Sequence, residues 1–353
     1  RTRMTFKKSL IFLATATALG VSAGCSDDDN GGGGSSSSSV DPVDVRNDKL
    51  TVEKGTQIMG ASGSDPSLVI TRGSEIDAKG TKDQPIVFGA VDVDDNGEVD
   101  SDVTDLSGRG DWGSLVLSGY GKVNAGDDNN QTQTEAVPDG VERWYGGNDN
   151  DDSSGTLKYI VMAETGEAFR PDEEVQGITI EGSGSGTKMS HIQVTNSDDD
   201  GIEWFGGAAD ADHVVIQGVT DDSLDMDLGY QGVIQNALVI QGSEHGDRGM
   251  ETDNNGDDFG ATPKSSPLIV NATVLGNHGN EDITMGSMRR EGFGGQVFRS
   301  VYSDVNAVNN WSGNASGQFS LGCIDVDDEV DEDLEYSDVI FNCSAGELTP
   351  ADD

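Results

Sequence analysis

A short acidic pattern recurs three times in this chain, and its spacing constrains the fold more than any other feature. The copies are Asp-Asp-Gly-Ile-Glu at 199–203, Asp-Asp-Ser-Leu-Asp at 221–225 and Asp-Arg-Gly-Met-Glu at 247–251. Their last residues, Glu203, Asp225 and Glu251, lie 22 and 26 positions apart, and a period of about 20 to 50 residues indicates a solenoid. Because neighbouring strands in such a fold are about 4.8 Å apart, these carboxylates are predicted to stack in a column.

The folded part is predicted to consist of stacked apolar strands. From residue 50 onward, short runs of Val, Ile and Leu alternate with turns rich in Gly, Asp and Asn, and helical periodicity is nearly absent. We predict an all-β fold, a right-handed single-stranded parallel β-helix of roughly a dozen coils, with about 22 residues per coil. A β-sandwich is the alternative, but the regular spacing of the acidic pattern favours parallel stacking.

A column of carboxylates needs water, protons or a cation to offset its repulsion. Two charges at this separation repel by about 0.9 kcal/mol in water and about 3.5 kcal/mol at an effective dielectric constant of 20. Stacked carboxylate oxygens suit Ca²⁺, so Glu203, Asp225 and Glu251 are candidate calcium ligands. The alternative is that acidic side chains here cap turns by accepting hydrogen bonds from backbone amides.

The overall charge excludes one class of partner and favours another. Lys and Arg total 21 residues against 65 Asp and Glu, which gives a formal net charge of −44 at pH 7. Nucleic acid binding needs a basic surface, so nucleic acid is not an expected partner. Divalent cations are the partners that this charge favours.

A second candidate calcium site is an acidic loop near residue 92. Asp92, Asp94, Asn96 and Asp100 occupy loop positions 1, 3, 5 and 9, with glycine at position 6. The loop resembles an EF-hand or dockerin calcium loop, but Val103 stands at position 12, where a bidentate acid is expected. An ordinary solvated acidic insertion is the alternative.

Residues 1–24 are predicted to be a lipoprotein signal peptide. Lys7 and Lys8 precede an apolar run at 10–21, which is shorter than the roughly 20 residues that cross a bilayer. Ser-Ala-Gly-Cys at 22–25 resembles a lipobox, which implies lipidation of Cys25. Ser26 rather than aspartate follows, and by resemblance this implies anchoring at the outer membrane, on either its periplasmic or its cell-surface face. An ordinary signal peptide or a membrane span remains the alternative.

The rest of the chain divides into a tether and one folded domain. Residues 25–47 are rich in Asp, Gly and Ser, cannot bury enough apolar surface to fold, and are predicted to form a flexible tether. Residues 48–353 are predicted to form the β-helix. With Cys25 lipidated, Cys323 and Cys343 remain as an even pair outside the reducing cytoplasm and are predicted to form a disulfide, with two independent thiols as the alternative.

Several motifs of the folded part carry a family resemblance. They are Thr-Val-Glu-Lys-Gly-Thr at 51–56, Leu-Val-Ile-Thr-Arg-Gly at 68–73, Gly-Asp-Trp-Gly at 110–113 and Gly-Ile-Glu-Trp-Phe-Gly-Gly at 201–207. Together they resemble a largely uncharacterised family of bacterial surface lipoproteins. The resemblance implies a right-handed β-helix of the pectate-lyase-like class and implies little about activity, since a shared fold does not fix function.

Catalysis and glycan stacking are further possibilities at named residues. If the chain is an enzyme, Asp221 and Asp222 are the candidate acids and Arg248 the candidate base, although Arg248 also suits a salt bridge to the acidic column. Aromatic faces bind sugars well, and the candidates that stand beside glycines or in turns are Trp144, Tyr145, Trp204 and Tyr230. The alternative is that these rings pack in the corners of the solenoid.

The sequence thus predicts an acidic, lipid-anchored β-helix at the outer membrane that is stabilised by Ca²⁺. Its predicted role is that of a glycan-binding, adhesion or envelope scaffold module, with polysaccharide as its partner. The alternative is a polysaccharide lyase or glycoside hydrolase that acts on acidic polysaccharide. His191 and His213 stand 22 positions apart, each just before a strand, and are expected to stack.

Overall fold

A computed structural model gives the architecture of most of the chain. It describes residues 4–6, 10–13, 43–62, 67–92, 106–127, 129–134, 142–167, 175–242, 245–276, 285–303, 305, 323–326 and 334–343. In these ranges every regular element is a β-strand. Nor do these ranges hold a helix with the length and apolar character that crossing a bilayer requires.

The strands are short and follow one another closely along the chain. They are β1 (Met4–Phe6), β2 (Leu10–Leu13), β3 (Val43–Val45), β4 (Lys49–Val52), β5 (Gln57–Ala61), β6 (Leu68–Ile70), β7 (Glu75–Lys79), β8 (Ile86–Val91), β9 (Leu115–Ser118), β10 (Thr132–Gln133), β11 (Trp144–Tyr145), β12 (Gly155–Ala163), β13 (Ile178–Glu181), β14 (Lys188–Thr195), β15 (Ile202–Phe205), β16 (Asp210–Gln217), β17 (Leu224–Asp227), β18 (Val233–Ile240), β19 (Glu251–Thr252), β20 (Leu268–Val270), β21 (Thr273–Leu275), β22 (Ser287–Arg289), β23 (Gln296–Phe298), β24 (Val301–Ser303), β25 (Ile324–Val326), β26 (Glu335–Ser337) and β27 (Ile340–Asn342).

Two long parallel sheets organise the molecule. The first sheet runs β4-β7-β12-β14-β16-β18-β20-β23-β26 and the second runs β3-β6-β9-β13-β15-β17-β19. Every pairing along both paths is parallel, and each strand pairs with its counterpart in the preceding and following coil, not with its neighbour in the chain. This confirms the predicted parallel β-helix, with nine successive coils along the first sheet in the described ranges.

Coil length is regular only in the middle of the molecule. Lys188 pairs with Asp210, 22 positions later, which is the predicted period. Ile76, by contrast, pairs with Gly155, 79 positions later, because the β10–β11 hairpin and other loops are inserted between these strands. The insertions leave the register of the sheets intact, since loops can lengthen at the surface with little effect on the strands they join.

Apolar side chains that point between the sheets form the core. In the second sheet, Ile202 and Trp204 of β15 are fully buried, and their register partners Leu224 and Met226 of β17 are buried directly beneath them. Residues at every second position of a strand share one face, so these inward residues repeat from coil to coil. The residues between them, including Glu203, therefore point outward.

One corner of the coil is built the same way in successive turns. Tyr159, His191, His213, Asn236 and Asn271 each have a backbone φ between 50° and 58°, the left-handed region. Non-glycine residues rarely adopt this conformation, and Asn and His are enriched among those that do. The repeat of this conformation bends the first sheet at one place in each coil and brings these side chains into a column.

The ends of the domain differ in detail from the sequence prediction. Strands β1 and β2 pair in parallel with β4 and β5 and so add one more row to the first sheet, whereas Cys25 lies outside the described residues. The signal peptide and the lipidation of Cys25 remain predictions. Strand β3 begins at Val43, inside the predicted tether, because its apolar residues pair with β6. The β-helix therefore starts before residue 48.

The predicted disulfide is present near the other end. Cys323 and Cys343 are bonded, with their Cα atoms 5.5 Å apart. Cys323 is fully buried, and Ile324 beside it belongs to the main hydrophobic core. The bond therefore ties the last described coils together.

Candidate cation site on the acidic sheet face

The outward face of the second sheet carries the predicted column of carboxylates. Glu203 pairs with Asp225, and Asp225 pairs with Glu251, so the three side chains lie in register on neighbouring strands. The column prediction is thereby confirmed. The column is not a solvated face, however, because Glu203 and Glu251 are only 7% and 5% exposed.

Two further acids lie in the turns that lead into these strands. The backbone amide of Asp222 donates to Asp200 Oδ1 at 2.8 Å, and the amide of Arg248 donates to Asp222 Oδ1 at 2.7 Å. Each carboxyl group thus caps the turn of the next coil. Asp200 and Asp222 therefore have the structural role that the sequence left open as the alternative.

At the Glu251 end of the column, two arginines supply positive charge. Arg248 Nη1 lies 2.6 Å from Glu251 Oε2 and 2.7 Å from Asp247 Oδ2. Arg290 holds Asp253 through two hydrogen bonds of 2.8 and 2.9 Å and also meets Glu251 Oε1. Both oxygens of Glu251 thus contact guanidinium groups, so arginine side chains neutralise the negative charge at this end of the column.

At the other end of the column, three carboxyl groups converge. Oxygens of Asp200, Glu203 and Asp225 all lie within 4.8 Å of one another. Asp225 Oδ1 is buried and has no hydrogen-bond partner. A buried, unpaired carboxylate oxygen is costly, so this arrangement calls for a proton or a cation.

The pKa values of these acids also indicate that the site needs a proton or a cation. Burial, followed by the charge of neighbouring carboxylates, raises the pKa of Asp200 well above its ordinary value. Burial and then the charges of Asp200 and Glu251 raise the pKa of Asp225 in the same way. A divalent cation would remove the need for these protons, because it favours the ionised form of every carboxylate around it.

The donor set of Asp200, Glu203 and Asp225 fits Ca²⁺. All of its ligand atoms are oxygens, and Ca²⁺ accepts six to eight oxygens at about 2.3 to 2.6 Å in irregular geometry. Oxygens of these three groups lie within 4.8 Å of one another, which is close enough for them to share one such ion. Glu251, predicted as a third ligand, is held by arginines, and Asp200 takes its place beside Glu203 and Asp225.

Asp199, Asp221 and Asp247 widen this acidic region. Carboxylate oxygens of Asp199, Asp200 and Asp221 also lie within 4.8 Å of one another, as do those of Asp221, Asp222 and Asp247. Asp221 is exposed, while Asp199 and Asp200 are buried. The acidic region therefore reaches solvent at Asp221.

Asp222 and Glu251 form a hydrogen-bonded pair with opposite pKa shifts. Burial first, and then the hydrogen bond to Glu251, raises the pKa of Asp222 well above its usual range. Burial alone would raise the pKa of Glu251, but the bond from Asp222 and the charges of Arg248 and Arg290 outweigh it and lower that pKa. Asp222 therefore holds the proton and Glu251 the charge, which is the division found in acid and base pairs.

The surroundings of Asp222 and Arg248 favour a structural role for both residues. The side chains of Asp222 and Glu251 are only 4% and 7% exposed, which leaves little room for a sugar to contact either. The charges of Asp222, Glu251 and Asp247 outweigh burial and raise the pKa of Arg248. Its guanidinium therefore serves as a counter-charge to these acids, which is the salt-bridge role that the sequence left open as the alternative.

The other sequence-predicted sites have different outcomes. Asp92 is exposed at the end of β8, and Asp94, Asn96 and Asp100 lie outside the described residues. The calcium-loop prediction there stays a prediction.

Three of the four predicted sugar-stacking rings belong to the interior. Trp204 and Tyr230 are fully buried and stack on each other with ring centroids 5.4 Å apart. Tyr145 is 2% exposed and packs against Phe205. The stacking prediction is wrong for these three rings, because strand alternation turns Tyr145 and Trp204 inward and Tyr230, in the turn after β17, packs on Trp204. Trp144, by contrast, is 38% exposed.

Comparison with known proteins places this fold in a family. The model of the pectate-lyase-like beta helix domain family matches residues 42–342, and the chain belongs to that family. No curated protein matches the chain. Among solved structures, an alginate lyase from Paenibacillus sp. str. FPU-7 aligns with a TM-score of 0.24 and 11% identity, covering 84% of this chain and 98% of that one. A TM-score this low carries no argument about function.

Proposed function

We propose that this protein is a surface β-helix that binds acidic polysaccharide through a divalent cation held on its acidic face. The observation that supports this most directly is the trio in which buried Asp200 and Glu203 converge with half-buried Asp225, whose buried Oδ1 lacks a partner. Ca²⁺ is the cation that these oxygens favour, and when bound it would supply positive charge for the acidic groups of a glycan. Exposed Asp221 gives such a ligand an approach to the site.

Anchoring by lipid at the outer membrane is part of this proposal. It is supported by the lipobox-like Ser-Ala-Gly-Cys at 22–25 and by the Gly- and Ser-rich segment that follows. Two or more acyl chains give stable membrane attachment. Growth of a Gram-negative host with labelled palmitate should label the wild-type chain, and Cys25→Ser should abolish the label; labelling that persists in the variant contradicts the anchor at Cys25.

Binding to polyuronates tests the proposed function. Polygalacturonate or alginate should bind the wild-type protein in Ca²⁺, and binding should be lost in chelator and in Asp225→Asn, measured by titration calorimetry. Asp227→Asn is the matched control, since Asp227 lies on the same strand but outside the three converging groups. Binding that is indifferent to chelator, or that Asp225→Asn leaves unchanged, contradicts the role of the cation.

The opposite pKa shifts of Asp222 and Glu251 favour a second candidate function, hydrolysis or elimination on an acidic polysaccharide. The burial of both side chains argues against it. We therefore expect no new reducing ends and no unsaturated products when wild-type protein is incubated with polyuronates and Ca²⁺. Turnover that is abolished by both Asp222→Asn and Glu251→Gln, and retained by Asp227→Asn, would establish the enzyme instead.

A further inference from the structure

One arm of the first sheet carries no charged residue on its outward side. The left-handed corner divides this sheet into two arms, and at the corner the rings of His191 and His213 stack with centroids 4.6 Å apart, as the sequence led us to expect. The arm after the corner contains β5, β8, the second halves of β12, β14, β16 and β18, and then β21, β24 and β27. From β14 onward, six strands offer two outward positions each, and none of these twelve side chains is buried. We call these twelve positions the uncharged face.

Half of the uncharged face is aliphatic. Its other six positions hold Gln, Thr, Ser or Asn. The residues between them in the strands, such as Ile216 and Val239, are fully buried, so strand alternation directs the face outward. Val87 and Val161, which are half-buried, extend the same column into two earlier coils. The aliphatic members are Val215, Leu238, Ile240, Leu275, Val301 and Ile340.

The register of the strands makes the aliphatic residues one continuous strip. Val215 pairs with Leu238, and Ile240 pairs with Leu275 in the next coil. Val301 pairs with Ile340 at the end of the arm. Neighbouring strands are about 4.8 Å apart, so side chains paired in this way contact one another along the arm.

The lack of charge on this face is unusual for this chain. Charged residues make up 24% of the sequence, so about three would be expected among twelve positions. In the arm before the corner, the same strands do carry charge at outward positions, including Lys188, Asp210 and Asp212. Contiguous apolar surface that is bordered by polar residues marks a site of interaction.

We propose that the uncharged face packs against the same face of a second copy of this chain. Two copies with a net charge of −44 repel each other, and a contact through this face brings no like charges together. Two sheets stack face to face about 10 Å apart, and a two-fold axis closes such a contact as a dimer. A membrane surface fits less well, because segments that settle on bilayers carry Lys and Arg beside their apolar residues, whereas acidic residues outnumber basic ones here by 65 to 21.

The size of the face predicts a weak dimer. From β8 to β27 it spans eight strands, which is about 34 Å along the solenoid, and each strand segment adds a width of about 13 Å. Pairing of two copies would bury about 900 Å² in total, which is at the low end of specific interfaces. We therefore expect a dissociation constant in the micromolar range. The contact uses no residue of the acidic column, so the cation site remains available in the dimer.

Analytical ultracentrifugation of the full chain tests this contact. Cys25→Ser is included throughout, because it removes the predicted lipid attachment and the thiol at that position. In chelator, we expect a reversible monomer to dimer equilibrium between about 1 and 200 µM, as for other weak complexes. Added NaCl should strengthen the dimer, since screening weakens the repulsion between acidic copies. Ca²⁺ should not be needed, which separates this contact from association through the acidic sheet face.

Charged variants locate the contact on the uncharged face. Leu238→Asp should weaken the dimer by about tenfold or more, because pairing would desolvate the new carboxylate. Leu268→Asp is the matched control, since Leu268 is also outward and half-buried but lies before the corner, and it should dimerise like wild type. Val215→Asp gives the same test if Leu238→Asp does not fold.

Three outcomes overturn the proposal. The first is wild-type protein that stays monomeric at the highest concentration in high salt. The second is a dimer that a folded Leu238→Asp or Val215→Asp variant leaves unchanged. The third is monomeric wild-type protein that binds vesicles of neutral lipid and loses this binding in Leu238→Asp, which would assign the face to a membrane.

Discussion

At the scale of single residues, Asp222 shows how a buried acid is held from two sides. Its Oδ1 accepts the backbone amide of Arg248 at 2.7 Å, and its carboxyl group is hydrogen-bonded to Glu251. The first contact needs an acceptor and the second needs a donor. The protonated acid supplies both, and this agrees with the direction of its pKa shift.

Asparagine and alanine at position 222 should therefore behave differently. Asp222→Asn keeps one acceptor and one donor and should leave stability near that of wild type. Asp222→Ala leaves the buried Arg248 amide without its acceptor and removes one hydrogen bond from Glu251, and it should cost about 1 to 3 kcal/mol. Urea unfolding of both variants measures the difference, and an equal loss in the two contradicts the shared-proton description of Asp222.

Asp225 should give the cation-free protein a distinctive pH dependence. Its folded-state pKa is raised, so above the ordinary aspartate value of about 3.9 the unfolded chain loses a proton that the folded chain keeps. Stability in chelator should then fall as pH rises from about 5 to 8. Glu251 has a lowered pKa, so its contribution is complete above its unfolded value and changes little in this window.

Thermal unfolding in chelator tests whether stability falls as pH rises. The melting temperature of wild type should drop between pH 5 and 8, and Asp225→Asn should show a smaller drop because its amide cannot ionise. A wild-type melting temperature that rises with pH over this window would show that the carboxyl groups with raised pKa values do not govern stability there.

At the scale of elements, glycines at the start of the second-sheet strands set how closely coils approach. A Cβ at Gly201 would lie 2.5 Å from the carbonyl oxygen of Ser223 in the next coil, and a Cβ at Gly249 would lie 2.6 Å from that of Gly286. Ser223 stands at the equivalent place in its own coil and has a side chain that is almost fully buried. The backbone around Ser223 therefore has room for a side chain, whereas the backbone around Gly201 does not.

Gly201→Ala should be much more harmful than Ser223→Ala. The added methyl group meets backbone on one side and Ile216 on the other, and overpacking of this kind costs about 1 to 3 kcal/mol. Ser223→Ala removes only a hydroxyl group and adds no clash. Chemical denaturation of the two variants tests this, and equal stability would mean that the coils can separate to admit the methyl group.

The sequence predicted the register of these elements better than their surroundings. The recurrence of Glu203, Asp225 and Glu251 at intervals of 22 and 26 positions was enough, because parallel strands in register place equivalent residues side by side. The sequence could not predict that Arg290, from a later coil, forms an ion pair with Glu251. The inward direction of Trp204 was readable from its alternation with Ile202, but the glycines that follow it gave the stronger and misleading signal of a turn.

At the scale of the whole molecule, repulsion between carboxylates costs less stability at the surface than in the interior. The chain has a net charge of −44, and surface carboxylates tolerate this because salt screens them over about 8 Å at physiological ionic strength. Buried Asp200 and Glu203 gain little from such screening. A bound divalent cation should therefore stabilise the molecule beyond what monovalent salt achieves.

Thermal unfolding with and without Ca²⁺ at matched ionic strength tests the central claim most directly. An ion that binds only the folded state, present at about 100 times its dissociation constant, adds about 2.7 kcal/mol to the free energy of unfolding. This corresponds to a rise of several degrees in melting temperature. We predict such a rise for wild type and for Asp227→Asn, and its loss in Asp225→Asn. A wild-type melting temperature that is the same in Ca²⁺ and in chelator would contradict a cation site on the acidic sheet face.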